Sequence, residues 1–176
     1  MKKIKDKKPF IYYENLKSWE IVSMIIYAFV TIGVILLAIL GNPHNKQVIV
    51  VMYALLSQLS LYFGLYTSLR NFKSYLIWFG FGVIHVMLFL IFKDDSTLQM
   101  RRGNPAFGLA NTIVLLALFQ LLRYLSLKMQ GREFVAPPKG GGPDLFDNKK
   151  VSSTDFIVFI IYMGSWFGLT ILSASN

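Results

Sequence analysis

Apolar residues gather in five long runs along this chain, and polar residues fall in the connections between them. Each run is close to the roughly 20 residues that an α-helix needs to cross a hydrocarbon layer about 30 Å thick. Hydrophobic residue types make up 55% of the chain, which agrees with such spans. The pattern predicts an all-α, polytopic integral membrane protein with five transmembrane helices, at about residues 21–40, 48–69, 75–92, 107–127 and 156–173.

The connections predict a simple domain organisation. A basic segment, residues 1–20, precedes a single membrane domain, residues 21–176. The first run is interpreted as a permanent helix and not as a cleaved signal peptide, because it is long and lacks a small-x-small cleavage site. One long connection, residues 128–155, contains the sequence APPKGGGPDLF, whose prolines and glycines disfavour a helix. We interpret it as a flexible cytoplasmic tether; a docking strand for a partner is the alternative.

The basic residues indicate an orientation. With five crossings and a cytoplasmic N-terminus, 14 of the 18 Lys and Arg residues fall on the cytoplasmic side. Because cytoplasmic loops carry an excess of positive charge, this bias predicts that the N-terminus is cytoplasmic and the C-terminus outside. The net charge of +9 would also suit nucleic acid, but the basic residues lie beside hydrophobic spans. Membrane lipid is therefore the expected partner, and nucleic acid is not.

Residue types that carry catalysis and metal binding are missing from the predicted spans. The chain has no Cys and only two His, and its nine acidic residues fall in connections or at helix ends. Ion-coupled transporters often keep a carboxylate at membrane depth, where it is costly and functional. The sequence also has no Walker A loop, Rossmann fingerprint or His-Glu-x-x-His pair. We therefore expect no enzymatic activity, no catalytic residue, no cofactor and no metal.

One histidine, His85, lies inside the third run. Near the middle of the membrane a neutral imidazole needs a hydrogen-bond partner. A proton relay, a quinone contact or a pore-lining role is one interpretation, and a hydrogen bond between helices is the one we favour. For Gln58 and Gln120 we likewise favour bridging between helices over a polar path. The predicted polar set within the membrane is Ser57, Gln58, Ser60, His85, Asn111 and Gln120.

The fifth run contains two glycines one helical turn apart, in the sequence Gly164-Ser165-Trp166-Phe167-Gly168. Small residues at this spacing let two helices approach closely in lipid. Gly164 and Gly168 are therefore predicted to pack against another subunit or against the first helix.

These features favour a small non-catalytic integral membrane subunit that packs within a larger protein assembly of a bacterial inner membrane. Its partners would be lipid and other membrane subunits, or further copies of itself. The alternative is a small homo-oligomeric channel or transporter for an ion or small solute, lined by Ser57, Gln58, His85, Asn111 and Gln120. A membrane-embedded enzyme is a third hypothesis, for which the sequence offers no paired catalytic groups.

Overall fold

A computed structural model of the chain describes residues 9–101, 103–137 and 148–175. In these residues the chain is all-α, with helices α1 (Ser18–Leu40), α2 (Pro43–Phe63), α3 (Phe72–Phe92), α4 (Ala106–Gln130) and α5 (Ser153–Ala174). Each of the five is long and apolar enough to cross a membrane. The predicted all-α architecture with five membrane-length helices is therefore confirmed.

Helix α2 is displaced from the apolar run that predicted it, which covered residues 48–69. The helix begins at Pro43, because the side chain of Asn42 accepts a hydrogen bond from a backbone N–H of the first turn and proline suits the first helical position. It ends at Phe63, and the chain then makes a turn and a short 3-10 helix. Apolar residues beyond this end, such as Leu69, are buried at the end of the bundle. Their hydrophobicity therefore reflects burial and not a longer span.

Helix α4 lies at the centre of the bundle, in contact with α2, α3 and α5. Half of its apolar window is buried, at 50%, against 17% for α1 and 11% for α5. The two outer helices thus present most of their surface to whatever surrounds the protein. That surface consists largely of Ile, Leu, Val and Phe, as expected for helices in lipid.

One end of the bundle, which we call the basic end, holds the starts of α1, α3 and α5 and the ends of α2 and α4. Two contacts bring these termini together. The backbone N–H of Phe72 donates to the carbonyl of Tyr12 (3.0 Å), and Arg132 pairs with Asp155 (2.7 Å). At the opposite end, the Gln47 side chain donates to carbonyls of the connection between α3 and α4.

The chain that follows α4 packs back against the basic end. Gly131 ends the helix in the left-handed conformation (φ 67°), which glycine adopts without steric cost. Phe134 is then only 2% exposed, and its ring stacks on Tyr62 with centroids 5.9 Å apart. Residues 138–147 lie outside the described residues, as do residues 1–8 of the basic N-terminal segment. The flexible tether therefore stays a prediction, with its first residues packed against the bundle.

Candidate functional site

A buried hydrogen-bond network centred on His85 joins four helices. His85 is 0% exposed, with its Nε2 2.8 Å from Tyr27 Oη on α1 and its Nδ1 2.8 Å from Thr112 Oγ1 on α4. Tyr27 Oη in turn donates to Ser57 Oγ on α2, at 2.8 Å. Each of these four residues is at least six residues, or about 9 Å, from the nearer end of its helix. The network therefore lies well inside the helix bundle, where each buried polar group needs a partner.

The direction of the two hydrogen bonds at His85 depends on which ring nitrogen carries the proton. Thr112 also receives a longer hydrogen bond from Gln58 Nε2, at 3.4 Å. His85 thus has a hydrogen-bond partner at each ring nitrogen, one on α1 and one on α4. Such an arrangement ties helices together.

A second branch continues the network between α1 and α2. The Thr31 hydroxyl donates to the backbone carbonyl of Tyr27 (2.8 Å), so it accepts from the Tyr53 hydroxyl at 2.7 Å. The ring of Tyr53 lies 4.7 Å from that of His85, centroid to centroid. The histidine is therefore enclosed by aromatic rings as well as hydrogen-bonded.

The structure brings part of the predicted polar set to His85. Ser57 reaches it through Tyr27, and Gln58 reaches it through Thr112. Gln58 also donates to the carbonyl of Gly108 at 2.7 Å and so links α2 to α4. His85 and Gln58 thus hydrogen-bond to neighbouring helices, and their role as bridges stays a prediction.

Three members of the predicted set lie elsewhere. The Ser60 hydroxyl donates to a carbonyl of its own helix, that of Leu56, at 2.6 Å. Asn111 donates to Ser173 Oγ at 2.8 Å and ties α4 to α5. Gln120 donates to a carbonyl at the basic end. None of these three has a hydrogen bond to His85, and each donates to a group of its own helix or of another segment.

The two direct partners of His85, which are Tyr27 and Thr112, were not predicted from the sequence. Tyr27 could have been identified as a candidate, because it lies one turn from Thr31 in a mostly apolar run. Thr112 follows Asn111 directly, and only the rotation of α4 decides which of the two faces α3.

Replacement of His85 tests whether the network is structural. His85→Leu leaves Tyr27 and Thr112 without their partner, so we expect it to lower the free energy of unfolding by about 1–3 kcal/mol. His85→Gln retains a donor and an acceptor, and we expect it to cost about half as much. Unfolding by SDS titration in lipid–detergent micelles measures both. Equal losses of stability in the two variants would contradict the hydrogen bonds of His85 as the source of the stabilisation.

A second buried cluster, at the basic end, contains two arginines and one glutamate. Arg123 is 1% exposed, with its guanidinium 2.6 Å from the Glu133 carboxylate. Arg70 is also buried and lies 3.4 Å from the other oxygen of the same carboxylate. Arg123 donates in addition to the carbonyl of Phe10, which fastens the N-terminal segment to the bundle. We call Arg70, Arg123 and Glu133 the Arg123 cluster.

Tyr12 lies beside this cluster and makes stability depend on pH. Burial, followed by the nearby Glu133 charge, raises the pKa of Tyr12 from 10.0 to about 12. The folded protein therefore holds the phenolic proton more tightly than the unfolded chain does. The stabilisation is complete below pH 10 and is lost as pH rises from about 10 towards 12.

Replacement of Tyr12 tests this pH dependence. We expect the free energy of unfolding of Tyr12→Phe to fall less than that of the unchanged protein over this pH range, as measured by unfolding titrations at each pH. An equal fall in both proteins would show that Tyr12 does not titrate in this way.

A polar pocket of about 250 Å³ opens beside the Arg123 cluster. Its charged lining is balanced, with three acidic and three basic side chains: Glu14, Glu20, Glu133, Lys17, Arg70 and Lys149. The balance of sign gives no preference for an anion or a cation, so the pocket does not define a ligand.

Gly164 and Gly168 lie on the outer face of α5. A Cβ atom added to either glycine would meet no atom within 4 Å. The two glycines therefore do not serve close packing between helices of this chain, and a contact with another subunit stays a prediction.

The described residues contain no group of three His, Cys, Asp or Glu side chains that could hold a metal ion. No protein-family model, curated protein or solved structure matches this chain. A functional assignment therefore depends on the geometry of the bundle itself.

Proposed function

We propose that this chain is a non-catalytic, multi-pass subunit of a larger protein assembly in a bacterial inner membrane. The observation that carries the proposal is the outer face of α5. This helix buries only 11% of its apolar window within the chain, yet it has two glycines on the surface that it leaves open.

Some of the exposed residues of α5 form one line along the helix with the two glycines at its centre. They recur every three or four residues, as Ile157, Ile161, Gly164, Gly168 and Ile171. Apolar side chains gain little from leaving lipid for another apolar surface, so close backbone approach is what favours helix association in a membrane. A flat strip flanked by isoleucines suits the apolar helix of another membrane protein.

Helix α1 offers a contrast within the same chain. It is also mostly exposed, but the middle of its outer face carries bulky side chains, including Ile25, Phe29, Ile32 and Leu36. Large branched and aromatic residues keep another backbone at a distance and pack well against acyl chains. We therefore assign α1 to lipid and α5 to the protein partner.

The proposed orientation follows from charge. The basic end carries Lys17, Arg70, Arg123 and Arg132 among the described residues, while the opposite end carries fewer cations. Because positive charge is retained in the cytoplasm, the basic end is proposed to be cytoplasmic and the C-terminus to lie on the far side of the membrane.

The polar residues inside the bundle support a structural role and weigh against a solute path through one chain. His85 and Gln58 are buried, and their hydrogen bonds go to Tyr27, Thr112 and Gly108 of the same chain. A path for an ion or a polar solute needs polar groups that face a common water-filled space. The channel hypothesis would therefore need a pore formed between several copies.

The proposal is tested by extraction of native membranes into nanodiscs, followed by native mass spectrometry of the particles that contain this chain. We expect particles that hold the 20.1 kDa chain together with other membrane proteins. Particles that contain one copy and lipid alone would contradict the proposal. A ring of identical copies would support the channel alternative in its place.

A further inference from the structure

The polar pocket of about 250 Å³ at the basic end suits a molecule that carries both signs of charge. Its lining is balanced in formal charge, so it favours neither a simple anion nor a simple cation. A zwitterion, whose own charges sum to zero, leaves that balance unchanged. The formal charges alone do not identify such a ligand, but the hydrogen-bonding state of each lining group narrows its chemistry.

Part of the charged lining is already paired within the chain. Both oxygens of the Glu133 carboxylate contact arginines, at 2.6 Å from Arg123 and 3.4 Å from Arg70. The Arg70 side chain also donates to the backbone carbonyl of Phe134. These groups hold the fold of the basic end together, and the contacts of a ligand must come from other residues of the pocket.

Glu20 has a carboxylate oxygen that remains available. The residue is only 4% exposed and lines the pocket. One of its oxygens accepts from the backbone N–H of Lys17 at 2.7 Å and caps the start of α1. The other has no hydrogen-bond or ion-pair partner among the residues that the structure describes. A carboxylate oxygen is an acceptor however the nearby protons are placed, and a buried one without a donor is costly.

Two donors line the same pocket. The Lys17 ammonium is exposed and forms no ion pair within the described ranges, with Glu20 or with any other carboxylate. The Thr67 hydroxyl, in the turn after α2, likewise has no hydrogen-bond partner in this part of the chain. Ammonium and hydroxyl groups are suitable donors for an oxyanion. The pocket therefore combines a buried acceptor for a cationic group with donors for an anionic one.

We propose that this pocket binds a small zwitterion in which a short carbon chain joins a primary ammonium group to an oxyanion, as in phosphoethanolamine. The ammonium group donates to Glu20, and the oxyanion accepts from Lys17 and Thr67. The pocket lies among the helix ends, so the same chemistry has two sources: a free molecule in water, or the headgroup of phosphatidylethanolamine. The inference is independent of the proposed role as a subunit.

The test uses the purified full-length chain in nanodiscs of phosphatidylcholine, with O-phosphoethanolamine as the probe. Isothermal titration calorimetry measures binding, and empty nanodiscs give the background. We expect saturable binding to the protein. Phosphocholine carries the same two charges but has no N–H to donate to Glu20, so it should bind at least tenfold more weakly.

Two variants separate the two ends of the ligand. Glu20→Gln retains the size of the side chain and an acceptor for the helix cap, but it lacks the charge, and it should weaken binding at least tenfold. Lys17→Gln changes an exposed side chain and should weaken binding about fivefold to tenfold. Asp94→Asn is the control, because it removes the same single charge at the opposite end of the bundle. This variant should retain the affinity of the unchanged protein.

Repetition in nanodiscs that also contain phosphatidylethanolamine distinguishes the two sources. Loss of binding of the free probe would identify the lipid headgroup as the occupant, and unchanged binding would identify a free zwitterion. Three results would overturn the inference. They are binding no greater than that of empty nanodiscs, equal affinity for phosphocholine, and unchanged affinity in both Glu20→Gln and Lys17→Gln.

Discussion

Glu133→Gln is expected to lower the free energy of unfolding by about 3–5 kcal/mol, because it leaves buried positive charge without its counter-ion. Glu133 is the carboxylate partner of both Arg123 and Arg70 in the Arg123 cluster. Glutamine has nearly the same size and retains an acceptor oxygen, so the loss measures charge and not packing. Unfolding by SDS titration in lipid–detergent micelles gives the difference.

A surface ion pair in the same chain provides the control. Lys93 and Asp94 lie 3.8 Å apart with the carboxylate largely exposed. Exposed pairs of this kind are worth about 0–1 kcal/mol, so Asp94→Asn should change stability little. If Glu133→Gln loses no more stability than Asp94→Asn, the Arg123 cluster does not contribute to stability as proposed.

Gly164→Ile is expected to release the chain from its assembly and to reduce the co-purified partner at least tenfold. The added side chain would keep the partner helix from approaching the backbone of α5. Within the chain itself the substitution meets open space, so the fold should be retained. Blue native electrophoresis of membranes that contain the variant measures the remaining complex.

Gly80→Ile distinguishes loss of contact from a general effect of isoleucine in place of glycine. Gly80 is also exposed, lies within α3, and has no atom within 4 Å of an added Cβ. This variant should keep the complex intact. If both variants assemble normally, the glycines of α5 are not the contact surface; if both fail, the effect is not specific to α5.

The five helices were predictable because the hydrocarbon layer imposes a minimum length of apolar sequence on each span. That rule sets how many crossings exist, but it is less informative about where a helix ends. The run that predicted α2 continued to residue 69, whereas the helix ends at Phe63. Buried residues that follow this end, such as Leu65 and Leu69, are as apolar as the exposed residues of the helices.

The partners of His85 were less predictable, because they depend on how four helices rotate about their axes. The sequence predicts that a buried imidazole needs hydrogen bonds, and the polar residues nearby are numerous enough to allow several solutions. The structure uses Tyr27 and Thr112, while Ser60 turns to its own helix. Side-chain spacing along one helix does not reveal which face meets its neighbour.

The contacts of the charged residues at the basic end were also not predictable from the sequence. Arg123 and Arg132 contribute to the positive bias that predicts orientation, and a count of charges treats them alike. In the structure Arg123 is buried against Glu133, and Gly131 provides the turn that brings the glutamate back. A contact of this kind forms through a specific backbone turn, which composition does not encode.

Site-specific photo-cross-linking in native membranes identifies what α5 contacts and so tests the proposed subunit role. A benzophenone side chain is introduced in place of Ile161, on the outer face of α5, and separately in place of Phe29, on the outer face of α1. We expect the probe on α5 to form an adduct with a different membrane protein, and the probe on α1 to react with lipid. Adducts of the α5 probe with lipid alone, or only with a second copy of this chain, would contradict a subunit role in a larger assembly.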